Sequence, residues 1–241
     1  MKFKVLGKYG PFPPAGGATS GYLLLGENAK IAFERGSGVF ARLASACAPE
    51  SLGALVISHL HYDHISDLGV LNYYLESLSR KGLLQSKLRL ILPKADCPAL
   101  SAIAAMEYFD IEFVSDGDRV EVNGVTLEFF SVRHPVMCLG FIAREGDKSF
   151  LYSADTDLFE GVENRVSSVS AALLDGAFLP SQYKIGGPHA SCNACAKLSK
   201  KTGVKVYVNH LLEANGEDSY VEAVSDAHLC RIVAEGEEYS V

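Results

Sequence analysis

The hydrophobic pattern of the chain is dominated by short apolar or alternating runs that predict β-strands. These runs cover residues 3–7, 21–25, 31–33, 54–57, 88–92, 111–114, 119–122, 125–132, 139–143, 150–153, 171–174, 204–208, 232–233 and 239–241. A turn at residues 26–28 joins the second and third runs, which predicts a hairpin. Several prolines and glycines between residues 11 and 17 exclude regular structure in that segment.

The clearest helical pattern follows residue 64. Apolar residues recur at spacings of three and four from Ile65 to Leu78, which predicts one amphipathic helix that carries His64 in its first turn and ends near Gly82.

Further helices alternate with the predicted strands. They are expected over residues 39–47, 99–108 and 191–203. The last helix is predicted to open at Ser219-x-x-Glu222, a capping box, and His228 near its end is interpreted as structural. No internal repeat, linker or low-complexity segment interrupts the pattern, so we predict a single domain over residues 1–241.

Composition places the chain among compact proteins. It has 241 residues, of which 48% are hydrophobic, and this is enough for one sizeable core. Residues 1–8 interleave charged and apolar side chains and lack the apolar segment of a signal peptide. No apolar run approaches the ~18 residues that a membrane span needs. We therefore predict a soluble, cytoplasmic protein with no membrane partner.

The six cysteines are too dispersed for a disulfide framework and are expected to remain thiols. Cys192 and Cys195 form a Cys-x-x-Cys pair, but no second pair accompanies them. They share one predicted helical face with Leu198, which favours packing over zinc or redox chemistry.

The formal net charge of −7 argues against broad nucleic-acid binding, which depends on many phosphate contacts. The local exception is a lysine cluster: Lys197, Lys200, Lys201 and Lys205. We interpret it as a solvated helix face.

The candidate chemistry centres on the stretch His59-Leu60-His61-Tyr62-Asp63-His64. It follows the buried strand predicted at residues 54–57, where α/β proteins place their sites. Residues i and i+2 of an extended chain point the same way, so His59 and His61 can hold one ion while Asp63 and His64 face a second. Imidazole and carboxylate ligands suit divalent zinc by default, and manganese or iron are compatible.

Histidine or aspartate follows three further predicted strands: His134, Asp155 and His210. Taken singly, each is more readily explained as a polar residue at a strand end. Each is expected to meet the first motif at one edge of the sheets.

Together these motifs resemble the metallo-β-lactamase superfamily, and within it the RNase Z-like and phosphodiesterase branch. The resemblance is carried by the His59 to His64 motif, His134 followed by Gly140-Phe141, Tyr152-Ser153-Ala154-Asp155-Thr156, Gly186-Gly187-Pro188-His189-Ala190-Ser191, and Asn209-His210-Leu211. It implies an α/β (α+β) four-layer αβ/βα sandwich, in which two mixed β-sheets are flanked by helices.

The resemblance also implies two divalent metal ions. One would be held by His59, His61, His134 and Asp155, and the other by Asp63, His64, Asp155 and His210. A single carboxylate can bridge metals ~3.5 to 4 Å apart, and a water between them ionises near neutral pH to give the nucleophile. Asp63 would hold and orient that hydroxide.

Three more residues receive expectations from the family pattern. His189 would be the acid that protonates a leaving oxygen, from a mobile glycine-flanked loop. Asp175 stands where the branch has a glutamate that pairs with this histidine, and its side chain is one methylene shorter. Glu34 replaces the usual aspartate before a glycine turn, which would alter the support of a metal ligand.

The substrate favoured by this pattern is a small or cyclic phosphodiester. RNase Z-like enzymes usually carry a long RNA-gripping arm between the third histidine and the bridging aspartate, whereas residues 135–154 predict only a strand, a turn and a strand. RNA is therefore the weaker candidate. Thioester or lactone hydrolysis and a metal-bound sensor or scaffold without turnover are further alternatives, and a homodimer is an open alternative to a monomer.

Overall fold

Two seven-stranded mixed sheets form the centre of the computed structural model, which describes all residues from 1 to 241. The first sheet contains β1 (Lys2–Gly7), β2 (Gly21–Leu25), β3 (Lys30–Phe33), β4 (Ala54–Val56), β5 (Leu88–Pro93), β6 (Phe109–Val114) and, at the end of the chain, β14 (Glu238–Ser240). The second contains β7 (Arg119–Val122), β8 (Val125–Ser131), β9 (Leu139–Glu145), β10 (Lys148–Tyr152), β11 (Ala171–Asp175), β12 (Lys205–Asn209) and β13 (Cys230–Ile232).

Both sheets share one design, antiparallel on one side and parallel on the other. The first sheet has the order β14-β1-β2-β3-β4-β5-β6 and becomes parallel at β3. The second has the order β13-β12-β11-β10-β9-β8-β7 and is parallel from β13 to β10 and antiparallel from β10 to β7. The predicted hairpin of β2 and β3 is confirmed.

Helices cover the outer faces. They are α1 (Val39–Ala46), α2 (Tyr62–Ile65), α3 (Leu68–Arg80), α4 (Pro98–Ala104), α5 (Glu160–Val166), α6 (Cys192–Thr202) and α7 (Glu217–Val224), with single 3-10 turns at Pro49–Ser51 and Glu213–Asn215. Buried residues of α1, α3 and α4 pack with the first sheet, and those of α5, α6 and α7 pack with the second. A third apolar cluster fills the space between the sheets. The predicted four-layer sandwich is therefore confirmed.

Aromatic rings join the two sheets across this central layer. Phe3 of the first sheet lies 4.9 Å from Phe150 of the second, and Phe33 meets Phe141 edge to face at 5.3 Å, measured between ring centroids. Because all four rings are shielded from water, the sheets hold each other through a large apolar contact.

The structure corrects three helix predictions. The single helix expected from residue 64 to 82 is two helices, because Asp67 accepts a hydrogen bond from the Phe40 backbone N–H (2.8 Å) and its own N–H donates to Arg35. Residues 99–108 are helical only to Ala104, since the chain turns there to enter β6.

The predicted capping box at Ser219 and Glu222 is also wrong. Helix α7 starts at Glu217 behind Gly216, whose φ of 70° favours glycine, so Ser219 lies inside the first turn. The helix ends at Val224, and His228 lies beyond it and cannot act at its last turn. By contrast, the packing role of Cys192 and Cys195 is confirmed, because both thiols are buried in the core with Leu198. No helix combines the length and the apolar character needed to cross a bilayer.

Candidate metal centre

The predicted ligands meet at one edge of the sandwich, each just beyond the carboxyl end of a strand. His59 follows β4, His134 follows β8, Asp155 follows β10 and His210 follows β12. Strands β8 and β10 are both antiparallel to β9, and β10 is parallel to its neighbour β11, which is parallel to β12. Their carboxyl ends therefore share one edge.

The first donor cluster consists of three imidazoles. His61 Nδ1 lies 3.0 Å from His59 Nε2 and 3.0 Å from His134 Nε2, so three ring nitrogens converge on one point. Neutral rings cannot all donate protons to one another there, whereas three lone pairs can be shared with a cation.

The second cluster contains two carboxylates and two imidazoles. His210 Nε2 lies 3.1 Å from both Asp63 Oδ2 and Asp155 Oδ2. His64 Nε2 lies 3.3 Å from Asp155 Oδ2. The same Asp155 oxygen lies 3.7 Å from His59 Nε2, so this carboxylate adjoins both clusters.

These distances and contacts fit divalent cations. Ligand atoms about 2.0–2.2 Å from a tetrahedral ion lie roughly 3.3 to 3.6 Å from one another, close to the spacings seen here. Both ring nitrogens of His64 are buried without a well-aligned hydrogen bond. A buried polar group without a partner is costly, and a cation would satisfy the Nε2 atom that faces Asp155.

Outer contacts orient three of the histidines. His59 Nδ1 is hydrogen-bonded to Ser58 Oγ (2.9 Å), and His134 Nδ1 is hydrogen-bonded to the Pro188 carbonyl oxygen (3.2 Å). Proton donation from Nδ1 leaves Nε2 free to bind a metal.

Glu34 supports the third. Its Oε2 lies 3.2 Å from His64 Nδ1, and its Oε1 accepts a hydrogen bond from the Ser58 backbone N–H (3.1 Å). The glutamate therefore reaches a predicted ligand histidine directly despite replacing the usual aspartate.

Protonation differs between the clusters. Burial lowers the pKa of His59 well below its ordinary value and also lowers the pKa of His61 and His134, which keeps these rings neutral. Burial opposes a charge on His64 as well, but Asp155 and Glu34 outweigh it and raise its pKa to about 10, so a cation at Nε2 would take the place of that proton. Burial alone would raise the pKa of Asp155, yet His210 and His64 hold it well below its ordinary value.

His189 and Asp175 form a hydrogen-bonded pair beside the second cluster. His189 Nδ1 lies 2.8 Å from Asp175 Oδ2, and its ring stacks on His210 with centroids 4.9 Å apart. Asp175 also accepts hydrogen bonds from the backbone N–H groups of Thr156 (2.9 Å) and Ala177 (3.0 Å). The shorter aspartate thus makes the contact that the branch makes with a glutamate, and the carboxylate is held rigidly.

The loop that carries His189 is anchored rather than loosely attached. Asp157 is buried and accepts hydrogen bonds from Tyr183 Oη (2.7 Å) and the Gly186 N–H (3.0 Å). This arrangement argues for a fixed imidazole instead of the mobile one expected from the flanking glycines.

Unusual backbone conformations accumulate at this site. Glu34, Ala154 and His210 have φ of 60°, 54° and 59°, a region that favours glycine. Ala154 stands where the family branch usually has glycine, and its φ gives the physical reason for that preference. Such conformations persist only where the surrounding structure enforces them, which is typical of functional sites.

A contact that sequence reasoning missed lies over His210. The backbone at Gly10 runs across the imidazole so closely that a Cβ atom there would overlap the ring. Gly10 N–H donates to the Leu211 carbonyl oxygen (3.1 Å), and Leu211 N–H donates to the Lys8 carbonyl oxygen (2.9 Å). The absence of a side chain at Gly10 is the only sequence signal of this contact.

All predicted ligands, together with Asp175 and His189, are therefore brought to one place. The supporting roles of Ser58, Gly10, Asp157 and the Pro188 carbonyl were not foreseen. They arise from residues distant in sequence or from backbone groups, which carry no recognisable motif.

A two-sheet sandwich with a histidine and aspartate centre at one edge defines an α/β protein of the metallo-β-lactamase fold. A family model described as the β-lactamase superfamily domain matches residues 29–210, a span that includes every predicted ligand. The chain belongs to this superfamily.

One relative resembles this chain in both sequence and structure. A curated Bacillus subtilis (strain 168) protein, named "Probable metallo-hydrolase YhfI", is 26% identical over 212 residues, or 88% of this chain and 87% of the relative. The crystal structure of YhfI matches with a TM-score of 0.91 at 23% identity, covering 99% of this chain and 98% of that one.

Two other relatives are more distant. Ribonuclease Z of Mycobacterium sp. (strain KMS) is 27% identical over 179 residues, or 65% of this chain and 61% of that enzyme. A diphosphatase of the PhnP family matches with a TM-score of 0.76 at 14% identity, covering 98% of this chain and 95% of that one. The structural likenesses support the same fold.

Proposed function

We propose that this protein is a metal-dependent hydrolase that cleaves a small or cyclic phosphodiester. The observation that carries the proposal is the His189–Asp175 pair, which stands directly against a donor cluster suited to divalent cations. The name of the Bacillus relative, a metallo-hydrolase, supports the general class.

The donor set favours two cations. His59, His61 and His134 would hold one, Asp63, His64 and His210 would hold the other, and Asp155 would contact both. Nitrogen and carboxylate oxygen donors suit zinc best, with manganese or iron compatible. When bound, such ions make a coordinated water acidic and offset the negative charge of a phosphoryl group.

The remaining chemistry belongs to the protein. Asp63, beside His210, is placed to accept a hydrogen bond from the attacking water and so to orient it. Asp175 fixes the imidazole of His189, whose Nε2–H can then donate to the leaving oxygen. A proton at that atom matters most when the leaving group is a poor one.

Phosphodiesters are favoured among the substrates of the superfamily. Two of the relatives, a ribonuclease and a diphosphatase, are named for reactions at phosphate. Thioester or lactone hydrolysis and a binding role without turnover are the competing functions.

A folded RNA is a less suitable substrate than a small diester. Between His134 and Asp155 the chain forms only the hairpin of β9 and β10, which leaves nothing for a gripping arm. In the lysine cluster, Lys200 is paired with Asp226 and Lys201 with Glu163, so part of its charge is already neutralised.

The test of this function compares diesters with different leaving groups. Purified, metal-loaded protein should hydrolyse bis(p-nitrophenyl) phosphate and an alkyl diester. His189→Ala should slow the alkyl diester roughly 100-fold or more, a typical size for lost general acid catalysis, and the nitrophenyl diester much less.

Controls and alternatives are assayed in parallel. Metal content should be unchanged in His189→Ala, because this side chain is assigned to proton transfer. Equal losses on both diesters would refute the acid role. Turnover of thioesters or lactones alone, or of a precursor tRNA faster than of small diesters, would refute the proposed substrate class.

A further inference from the structure

A pocket beside the first donor cluster has no part in the roles assigned above. Its volume is about 540 Å³, and His61 belongs both to its wall and to the donor cluster. It is bounded by the segment that carries the metal motif, the segment between β5 and α4, and the segment between β8 and β9. Pockets of this size typically enclose a small organic group.

The wall of the pocket is mainly apolar and open to solvent. Tyr62, Met137 and Val136 are 75%, 53% and 40% exposed, although all three line the same opening. Leu60 and Pro98 continue the apolar surface. Single exposed apolar side chains are ordinary. Several around one concavity indicate a binding surface, because covering them with a ligand lowers the free energy.

The charges on the wall narrow the class of ligand. Lys94 and Asp96 both line the pocket, so their formal charges cancel. A second phosphate group would gain little from such a wall, whereas an uncharged substituent of a single phosphate at the metal centre would meet apolar side chains.

The position of His189 decides which substituent enters. His189 stacks on His210 and packs edge to face against Phe178 with ring centroids 5.6 Å apart, and it does not line the pocket. The group whose oxygen receives the proton from His189 and the group in the pocket are therefore different parts of the substrate.

We infer that the pocket binds an apolar, preferably aromatic, ester substituent that stays on phosphorus while the other ester bond is broken. This inference rests on the proposed function. In the reaction a water oxygen bonds to phosphorus while one proton of that water passes through Asp63 to solvent. The bond from phosphorus to the leaving oxygen breaks, that oxygen takes the proton of His189, and His189 is reprotonated from solvent. The products are an alcohol and a phosphomonoester that carries the apolar group.

The kinetic test uses three diesters with a common p-nitrophenolate leaving group and a methyl, phenyl or 1-naphthyl second substituent. We expect kcat/KM for the naphthyl ester to exceed that for the methyl ester by about tenfold or more, mainly through KM, because the ring is removed from water. Met137→Asp should reduce this ratio to about one to threefold, whereas Met137→Leu should retain it.

The matched control is Leu83→Asp. Leu83 is 58% exposed, lies outside the pocket, and receives the same charge, so the naphthyl-to-methyl ratio should match that of the unchanged protein. Thermal unfolding of each variant verifies that the fold is intact.

A binding measurement separates this inference from the proposed function. Calorimetry with the metal-loaded protein should show tighter binding of 1-naphthylphosphonate than of methylphosphonate, and Met137→Asp should remove the difference. Turnover of all three diesters at equal kcat/KM would overturn the pocket assignment. No turnover with an intact binding preference would refute the hydrolase and support the pocket, and the absence of both would overturn the two together.

Discussion

At the scale of single residues, the site is organised by contacts outside the donor clusters as much as by the donors. Glu34, Ser58 and the Pro188 carbonyl each bind the far nitrogen of a ligand histidine or lie against it. These contacts fix the direction in which each imidazole presents its metal-binding nitrogen. The orientation of these three rings is therefore set by the protein's own residues.

Gly10 provides a sharp test of this view. Gly10→Ala should push the His210 ring out of place, because the added methyl overlaps it, and should lower the metal content toward one ion per chain. Elemental analysis of the purified variant measures this directly.

Gly69→Ala is the control for that substitution. A methyl at Gly69, inside α3, meets no atom within 4 Å and should leave the metal content unchanged. Helix propensity predicts up to about 1 kcal/mol of added stability for it. Full metal occupancy in Gly10→Ala would contradict the positioning role.

At the scale of elements, the sequence predicts most strands and the order of the ligands, because both depend on local pattern. The strand that begins at Ala54 is confirmed, and the His59 to His64 motif follows its carboxyl end, as α/β geometry requires. The break between α2 and α3 could not be predicted, since it depends on hydrogen bonds from Asp67 to residues of another segment. The predicted start of α7 was wrong because Gly216, and not Ser219, is the N-cap residue.

The contact between the two sheets gives the prediction at this scale. Phe150 is fully buried against Phe3 of the opposite sheet, so Phe150→Ala should reduce the free energy of unfolding by about 3–5 kcal/mol. Denaturant titration measures the loss.

Phe12→Ala is the matched control, because Phe12 is 58% exposed and should cost less than about 1 kcal/mol. Comparable losses in the two variants would show that the sheets are not held mainly by this apolar layer.

At the scale of the whole molecule, the donor clusters join segments that are far apart in sequence. Asp63 lies in α2, Asp155 follows β10 and His210 follows β12, yet His210 Nε2 lies 3.1 Å from an oxygen of each aspartate. A cation bound only in the folded state would stabilise the fold by mass action.

Removal of metal should therefore lower the unfolding temperature. A ligand at 100 times its Kd contributes about 2.7 kcal/mol, which for a chain of this size corresponds to about 5–10 °C. Differential scanning fluorimetry before and after chelation, and after zinc is restored, should show a reversible shift of this order. An unfolding temperature insensitive to chelator and to zinc would contradict a structural contribution of the centre.

We propose a two-metal centre in which Asp155 would contact both ions, and elemental analysis of protein purified without chelator tests it most directly. We expect about two transition-metal ions per chain in the unchanged protein, loss from both sites in Asp155→Ala, and retention of about one ion in His210→Ala. No more than a trace of metal in the unchanged protein, or two ions retained in Asp155→Ala, would contradict the account.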